Sequence, residues 1–149
     1  MGQSLSQLYI HLIFGTKGRH PYIKEELETL LHSYIAGILK NQDSPAIKIN
    51  SVPDHIHILF RLSKNHALAK VVENAKKESS KWMKEKGVVE FSWQIGYGAF
   101  SVSASKVAVV TNYIKRQKEH HKQVSFKEEL EEFVKEYDVI DYNPEYFWT

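Results

Sequence analysis

The stretch "SVPDHIHILF", residues 51–60, sets two histidines one residue apart inside an apolar run. Side chains alternate along a strand, so His55, His57 and Leu59 share one face while Ile56, Ile58 and Phe60 share the other. Those three apolar residues are the natural core face, which leaves the histidines side by side on the opposite, open face. Two imidazoles held on a rigid central strand suit two ligands of one divalent ion. A second stretch, "TNYIKRQKEHHK" at 111–122, follows helical spacing. Tyr113 and Gln117 are four residues apart, so their Cβ atoms lie about 5–6 Å from each other on one helical face. The Gln117 amide oxygen offers a third ligand, and the Tyr113 hydroxyl one turn away offers a nucleophile toward a phosphodiester whose oxygen the ion polarises. Lys115 and Arg116 would neutralise the flanking backbone, and Lys17, Arg19 and His20 offer further phosphate contacts. His120 and His121 continue the row of Gln117, leaving open whether either joins the metal.

These groups need elements to hold them. "QLYIHLIFG" alternates with apolar residues on both faces and predicts a central strand. Leu27, Leu30, Leu31, Tyr34, Ile35, Ile38 and Leu39 mark an amphipathic helix over residues 24–41. "AIKINSV" and "HIHILFRL" predict two further strands, joined by a turn at Pro53-Asp54. A helix capped by Asn65 or Ser63 follows, with Leu68, Val71, Val72, Ala75, Trp82 and Met83 on its buried stripe and Gly87 at its end. "FSWQIGYGAFSVS" predicts an irregular fourth strand. A helix capped by Ser103 or Ser105 then runs to about Lys122. Ser125 and Glu128 form a capping box for a helix from Phe126 to Tyr137. The aromatic tail "DYNPEYFWT" is expected to dock rather than stand in solvent.

The order β-α-β-β-α-β predicts an α+β, ferredoxin-like split βαβ fold: an antiparallel sheet with helices on one face and an extra C-terminal catalytic helix. The other sheet face is expected to be free for a ligand, as in RNA-recognition modules of this layout. At 149 residues, the chain is the size of one domain, 1–149. It has no cysteine, which excludes disulfides and thiolate metal sites and points to a reducing, cytoplasmic setting. No secretory signal or membrane-length apolar run is evident. The net charge is only +2, but residues 64–86 carry seven Lys against three Glu, and residues 106–122 carry four Lys and one Arg against one Glu. Two basic segments on a nearly neutral chain suit a polyanion. The residues alone admit a DNA strand transferase, a non-catalytic single-stranded nucleic-acid-binding module, and a phosphodiesterase that activates water.

"PDHIHILF" resembles the HUH motif (histidine, hydrophobic, histidine). "YIKRQKEHH" resembles the catalytic-helix motif of single-tyrosine HUH transposases from small bacterial insertion sequences. "HLIFGTKGRHP", "WQIGYGAFSVS" and "DYNPEYFW" are similar to that family as well, in register along the chain, and fit it better than the related relaxase and replication-initiator nickases. The resemblance implies a bacterial, nucleoid-associated enzyme that cuts and rejoins single-stranded DNA at element ends. It implies His55, His57 and Gln117 as ligands of Mg²⁺ or Mn²⁺, and Tyr113 as the nucleophile that forms a 5′-phosphotyrosine. It also implies DNA hairpins as the recognised feature and a homodimer. The short stretch between the fourth strand and the tyrosine helix is expected to prevent that helix from reaching its own sheet. Each site would then join the histidines of one subunit to Tyr113 of the other.

Overall fold

A computed structural model describes residues 2–149. The strands are β1 (Leu8–Gly15), β2 (Ala46–Val52), β3 (His55–Leu62) and β4 (Gly98–Val102). They form one antiparallel sheet in the order β2-β3-β1-β4, the split βαβ topology, with the histidine-bearing β3 and its neighbour β1 at the centre. The helices α1 (Glu25–Asn41) and α2 (Leu68–Glu85) cover one face. There Leu31, Ile35 and Leu39 of α1 and Val71, Val72, Ala75 and Met83 of α2 pack on Leu12, Phe14, Ile56, Ile58 and Phe60. Each of these Leu, Ile, Val, Phe and Met side chains contributes about 1.5–3 kcal/mol on burial. Among the described residues, no helix is long and apolar enough to cross a membrane.

The opposite face is where the structure departs from expectation. Instead of lying open, it is covered by the chain that follows β4: α3 (Val107–Lys115), α4 (Gln117–His120) and α5 (Phe126–Glu136). Ile114 of α3 packs on Leu59 and Val102. Phe126 and Leu130 of α5 pack on Ile13 and Phe100, with Phe133 and Val134 alongside. The cause is the apolar character of this face: Ile13, Leu59 and Phe100 also need burial, and α5 carries a complementary stripe. The expected capping box is present, with the Ser125 hydroxyl accepting from the Glu128 amide and the Glu128 carboxylate accepting from the Ser125 amide, fixing where α5 begins.

The expected continuous helix to Lys122 is interrupted. A 3₁₀ turn, Ala104–Lys106, leads into α3, and the helix breaks at Arg116. Asn50 of β2 explains the break, because its amide donates to the carbonyls of Ile114 (2.9 Å) and Lys115 (3.2 Å), the acceptors a continuing helix would use. The same bonds tie α3 to its own sheet, so the stretch after β4 is long enough for the helix to fold back. The steric reason for expecting Tyr113 to reach only a partner's site is therefore removed. Two capping expectations also fail: α2 starts after Ala67 without a side-chain cap from Ser63 or Asn65, and neither Ser103 nor Ser105 caps a helix through its side chain. The fourth strand is shorter than expected, with residues 91–97 largely irregular except for a bridge between Trp93 and Thr16.

The tail docks as expected. The short α6 (Pro144–Phe147) is capped by Asn143, and Trp148 packs against Phe126 with ring centroids 5.1 Å apart. Gln94 connects tail and sheet: its oxygen accepts from the Gly15 amide (2.7 Å) and its nitrogen donates to the Phe147 carbonyl (2.8 Å).

Gly15 is where this layer approaches the sheet most closely. A Cβ there would lie 2.5 Å from the Phe126 ring and 3.1 Å from the Asp54 carbonyl. The ring has little room to retreat, since it stacks on His55 at 4.0 Å. Gly15→Ala is expected to cost about 1–3 kcal/mol by overpacking, read by urea denaturation. Adding Phe126→Leu should return part of that loss, whereas an unchanged midpoint in the single variant would contradict the packing described.

Candidate metal and nucleophile site

His55 and His57 share a face of β3, as alternation requires, but neither exposes any surface. Their neighbours come from the covering layer and from β1. The His55 Nδ1 lies 2.7 Å from Asp54 Oδ1. The His57 Nδ1 lies 2.9 Å from the Nε2 of His11, a diagonal cross-strand neighbour on β1. On the other side, both Nε2 atoms face Glu129 of α5, whose Oε1 is 2.9 Å from His57 and 3.3 Å from His55. His121, in the turn between α4 and α5, places its Nε2 3.1 Å from the same oxygen and 3.0 Å from His55 Nε2, while its Nδ1 donates to the Val124 carbonyl at 2.6 Å. One ligand atom from each of His55, His57, His121 and Glu129 thus lies within 4.8 Å of all the others.

Tyr113 arrives from α3. Its ring centroid is 5.9 Å from that of His57 and 6.2 Å from that of His11. Its hydroxyl donates to Glu129 Oε2 and lies 3.3 Å from the His120 Nε2. The Glu129 carboxylate therefore spans the site, with one oxygen on the imidazoles and the other on the tyrosine. Gln117 is buried one turn after Tyr113, and its amide nitrogen reaches the Tyr113 carbonyl at 3.5 Å. Its amide oxygen is buried with no hydrogen-bond partner. A buried acceptor left bare is costly, so the donor set of this site has an acceptor available for a cation.

The electrostatics follow from burial. Burial would raise the Glu129 carboxyl, but bonds from His121, His55 and His57 outweigh it and hold it far below the usual carboxylate range. Burial lowers His57 to about 4 despite its bond to Glu129, and burial together with His57 lowers His11 to about 3. For His55, burial opposes charge, yet the bonds to Asp54 and Glu129 prevail and raise its pKa. Burial, then the Glu129 charge, push the Tyr113 hydroxyl well above its ordinary value. As arranged here, Tyr113 is a hydroxyl and not a phenolate.

Of the expected residues, Tyr113 lies over the sheet face that carries His55 and His57 and packs on His57, all within one chain, while Gln117 is buried one turn after it. Lys115 and Arg116 are exposed beside them at the helix break. Lys17 and Arg19 lie in an exposed 3₁₀ turn after β1, and the Arg19 guanidinium sits over the Trp148 ring, 5.1 Å from its centroid. The sequence reading missed Glu129 altogether. Its signal was a lone carboxylate inside the stripe Phe126, Leu130, Phe133, where a fourth apolar residue would be expected.

Residues 4–117 match the protein family described as "Transposase IS200 like". This chain belongs to the IS200-like transposase family. It is 28% identical over 118 residues to the ISDra2 transposase TnpA of Deinococcus radiodurans, covering 74% of this chain and 84% of that one. Its fold is similar to that of a transposase crystal structure from Deinococcus radiodurans R1 (TM-score 0.62, 24% identity, 78% of this chain and 96% of that one). It is also similar to that of a REP-associated tyrosine transposase bound to a REP hairpin (TM-score 0.59, 12% identity, 83% and 76%). The IS200-like match ends at Gln117, so His121 and Glu129 lie beyond it.

His11 is the test of the buried network. His11→Phe keeps the ring but removes the bond to His57 Nδ1, leaving a buried nitrogen unpaired at about 1–3 kcal/mol. Chemical denaturation should show a loss of that size, and wild-type stability would mean that the His11–His57 bond carries no weight.

Proposed function

We propose that this transposase cuts and rejoins single-stranded DNA at element ends, with Tyr113 as nucleophile and His55, His57 and Gln117 as holders of one divalent cation, Mg²⁺ or Mn²⁺. The observation that carries the reading is that the Tyr113 ring packs 5.9 Å from that of His57, one of two buried histidines on the strand, while the Gln117 oxygen one turn further on is buried without a partner. The Tyr113 Oη attacks the phosphorus as the bond to the 3′ oxygen breaks, and the proton lost by the tyrosine is balanced by the one the departing 3′ oxygen takes up from solvent, leaving a 5′-phosphotyrosine and a free 3′-OH. Attack by a 3′-OH on the phosphotyrosine reverses the step and rejoins strands, so no water or nucleotide cofactor is consumed. A bound cation supplies Lewis-acid polarisation of a non-bridging phosphate oxygen. His11 and Asp54 orient the two histidines through their Nδ1 atoms. Hairpin-bearing single strands are the proposed substrate, a reading supported by the REP hairpin in the distant structural neighbour. Lys17, Arg19, Lys115 and Arg116 are the proposed backbone contacts, so binding should weaken with salt.

The arrangement described here is closed to such a substrate. Both histidines are sealed, and the cavity beside Tyr113, about 250 Å³, is lined by Glu129, Glu132 and Glu136, which repel phosphate. Engaging DNA requires α5 to move away.

Tyr113→Phe should retain affinity for a hairpin-bearing end oligonucleotide while losing cleavage and the covalent protein–DNA band on a denaturing gel. Cleavage at the wild-type rate would overturn the assignment. Retained binding without any adduct in the wild type would favour the non-catalytic binding module.

The same reading includes a homodimer with shared sites, formed when α5 and α3 release the self-contained arrangement. Mixing His57→Ala with Tyr113→Phe under subunit exchange should then recover cleavage, because one site of each heterodimer is intact. Confirmed exchange without recovery would assign the cutting step to histidines and tyrosine of one chain.

A further inference from the structure

His55 and His121 hold their hydrogens on Nδ1, because the groups facing those atoms, the Asp54 carboxylate and the Val124 carbonyl, can only accept. In the neutral rings both Nε2 lone pairs then point inward. They face each other at 3.0 Å and face the same carboxylate oxygen at 3.3 and 3.1 Å. His57 adds its own Nε2 2.9 Å from that oxygen. Acceptors crowded in this way repel one another unless a positive centre sits among them. Separations near 3 Å are also those between ligand atoms around a small cation with bonds of about 2.0–2.2 Å. Each of the three imidazoles has its other nitrogen engaged by a carboxylate, a backbone carbonyl or another histidine, the outer-sphere pattern that orients metal ligands.

We propose that His121 and Glu129, together with His55 and His57, form a three-imidazole, one-carboxylate site for a divalent transition cation. This rests on the reading of His55 and His57 as metal holders and extends it to two residues outside the family match. The donor set decides the ion class. Mg²⁺ prefers an all-oxygen, largely hydrated shell, whereas three imidazoles favour Zn²⁺ and its neighbours Co²⁺ and Ni²⁺. Because Glu129 lies on α5 and His121 in the turn before it, the ion also fastens α5 over the sheet. Metal binding and closure of the covering layer become one equilibrium.

Co²⁺ is the probe, added to the full chain after chelator treatment. Binding is read by calorimetry and visible ligand-field absorption, and closure by hydrogen exchange of the α5 amides. The wild type should bind one Co²⁺ that excess Mg²⁺ does not displace, with slower exchange in α5. Glu129→Gln, which keeps shape and packing, and His121→Ala should each weaken Co²⁺ at least as much as the roughly 10–100-fold caused by losing an outer-sphere partner. Both should alter the absorption spectrum and abolish the ion's effect on α5 exchange. If both variants bind Co²⁺ with wild-type affinity and spectrum while His57→Ala does not, the four-ligand site is wrong and the two-histidine reading stands. If His57→Ala also binds as wild type, both readings fall. Displacement of Co²⁺ by Mg²⁺ at comparable concentration would overturn the assignment of ion class.

Discussion

A carboxylate buried to 2% exposure stays ionised only if donors or cations surround it, and Glu129 meets that condition through the Tyr113 hydroxyl on one oxygen and, on the other, a proton or cation shared with His55, His57 and His121. Those four side chains come from β3, the turn after α4, and α3. The requirement therefore fixes how the whole C-terminal layer sits on the sheet. Apolar contacts such as Phe126 on Ile13 would tolerate a small slide of α5, but a charge bonded on both oxygens would not. Hydrophobic burial supplies most of the attraction here, and the polar network sets the register.

The features legible in the sequence were those with a local period. Strand alternation placed His55 and His57 on one face and Ile56, Ile58 and Phe60 on the other, and the bounds of β2 and β3 follow from apolar runs ending at Pro53-Asp54. The Ser125–Glu128 capping box was readable because both partners lie within one turn. What could not be read was set by partners distant in the chain. The break at Arg116 depends on Asn50, 64 residues before Ile114, and periodicity carries no trace of that bond. The covering of the second face depends on matching α5's stripe to Ile13 and Phe100, which requires knowing that the chain turns back after α4.

Glu129 and Gln94 show the same limit in polar residues. Gln94 sits in an irregular stretch with no pattern to single it out, yet it joins the end of β1 to the carbonyl of Phe147 in the tail. Through that bridge, and through Trp148 against Phe126, the last residues bear on the same end of the sheet where Gly15 pairs with His55. Arg19 beneath Trp148 draws the basic turn after β1 into this contact. The tail, the turn and α5 are thus mechanically linked, although only α5 touches the histidines.

On the proposed reading, the linkage orders what must happen for a phosphodiester to reach Tyr113. The carboxylate of Glu129 holds both the hydroxyl and the imidazoles, so a substrate cannot engage one while α5 remains on the other. Withdrawal of α5 relieves both the burial and the Glu129 charge that hold the hydroxyl's pKa high, and opens the histidine face in the same motion. Partial opening is disfavoured, because a half-withdrawn carboxylate would lose its donors while still shielded from water. On the proposed reading the layer is a two-position element, closed with Glu129 on the imidazoles and the tyrosine, or open with those groups offered to phosphate and solvent.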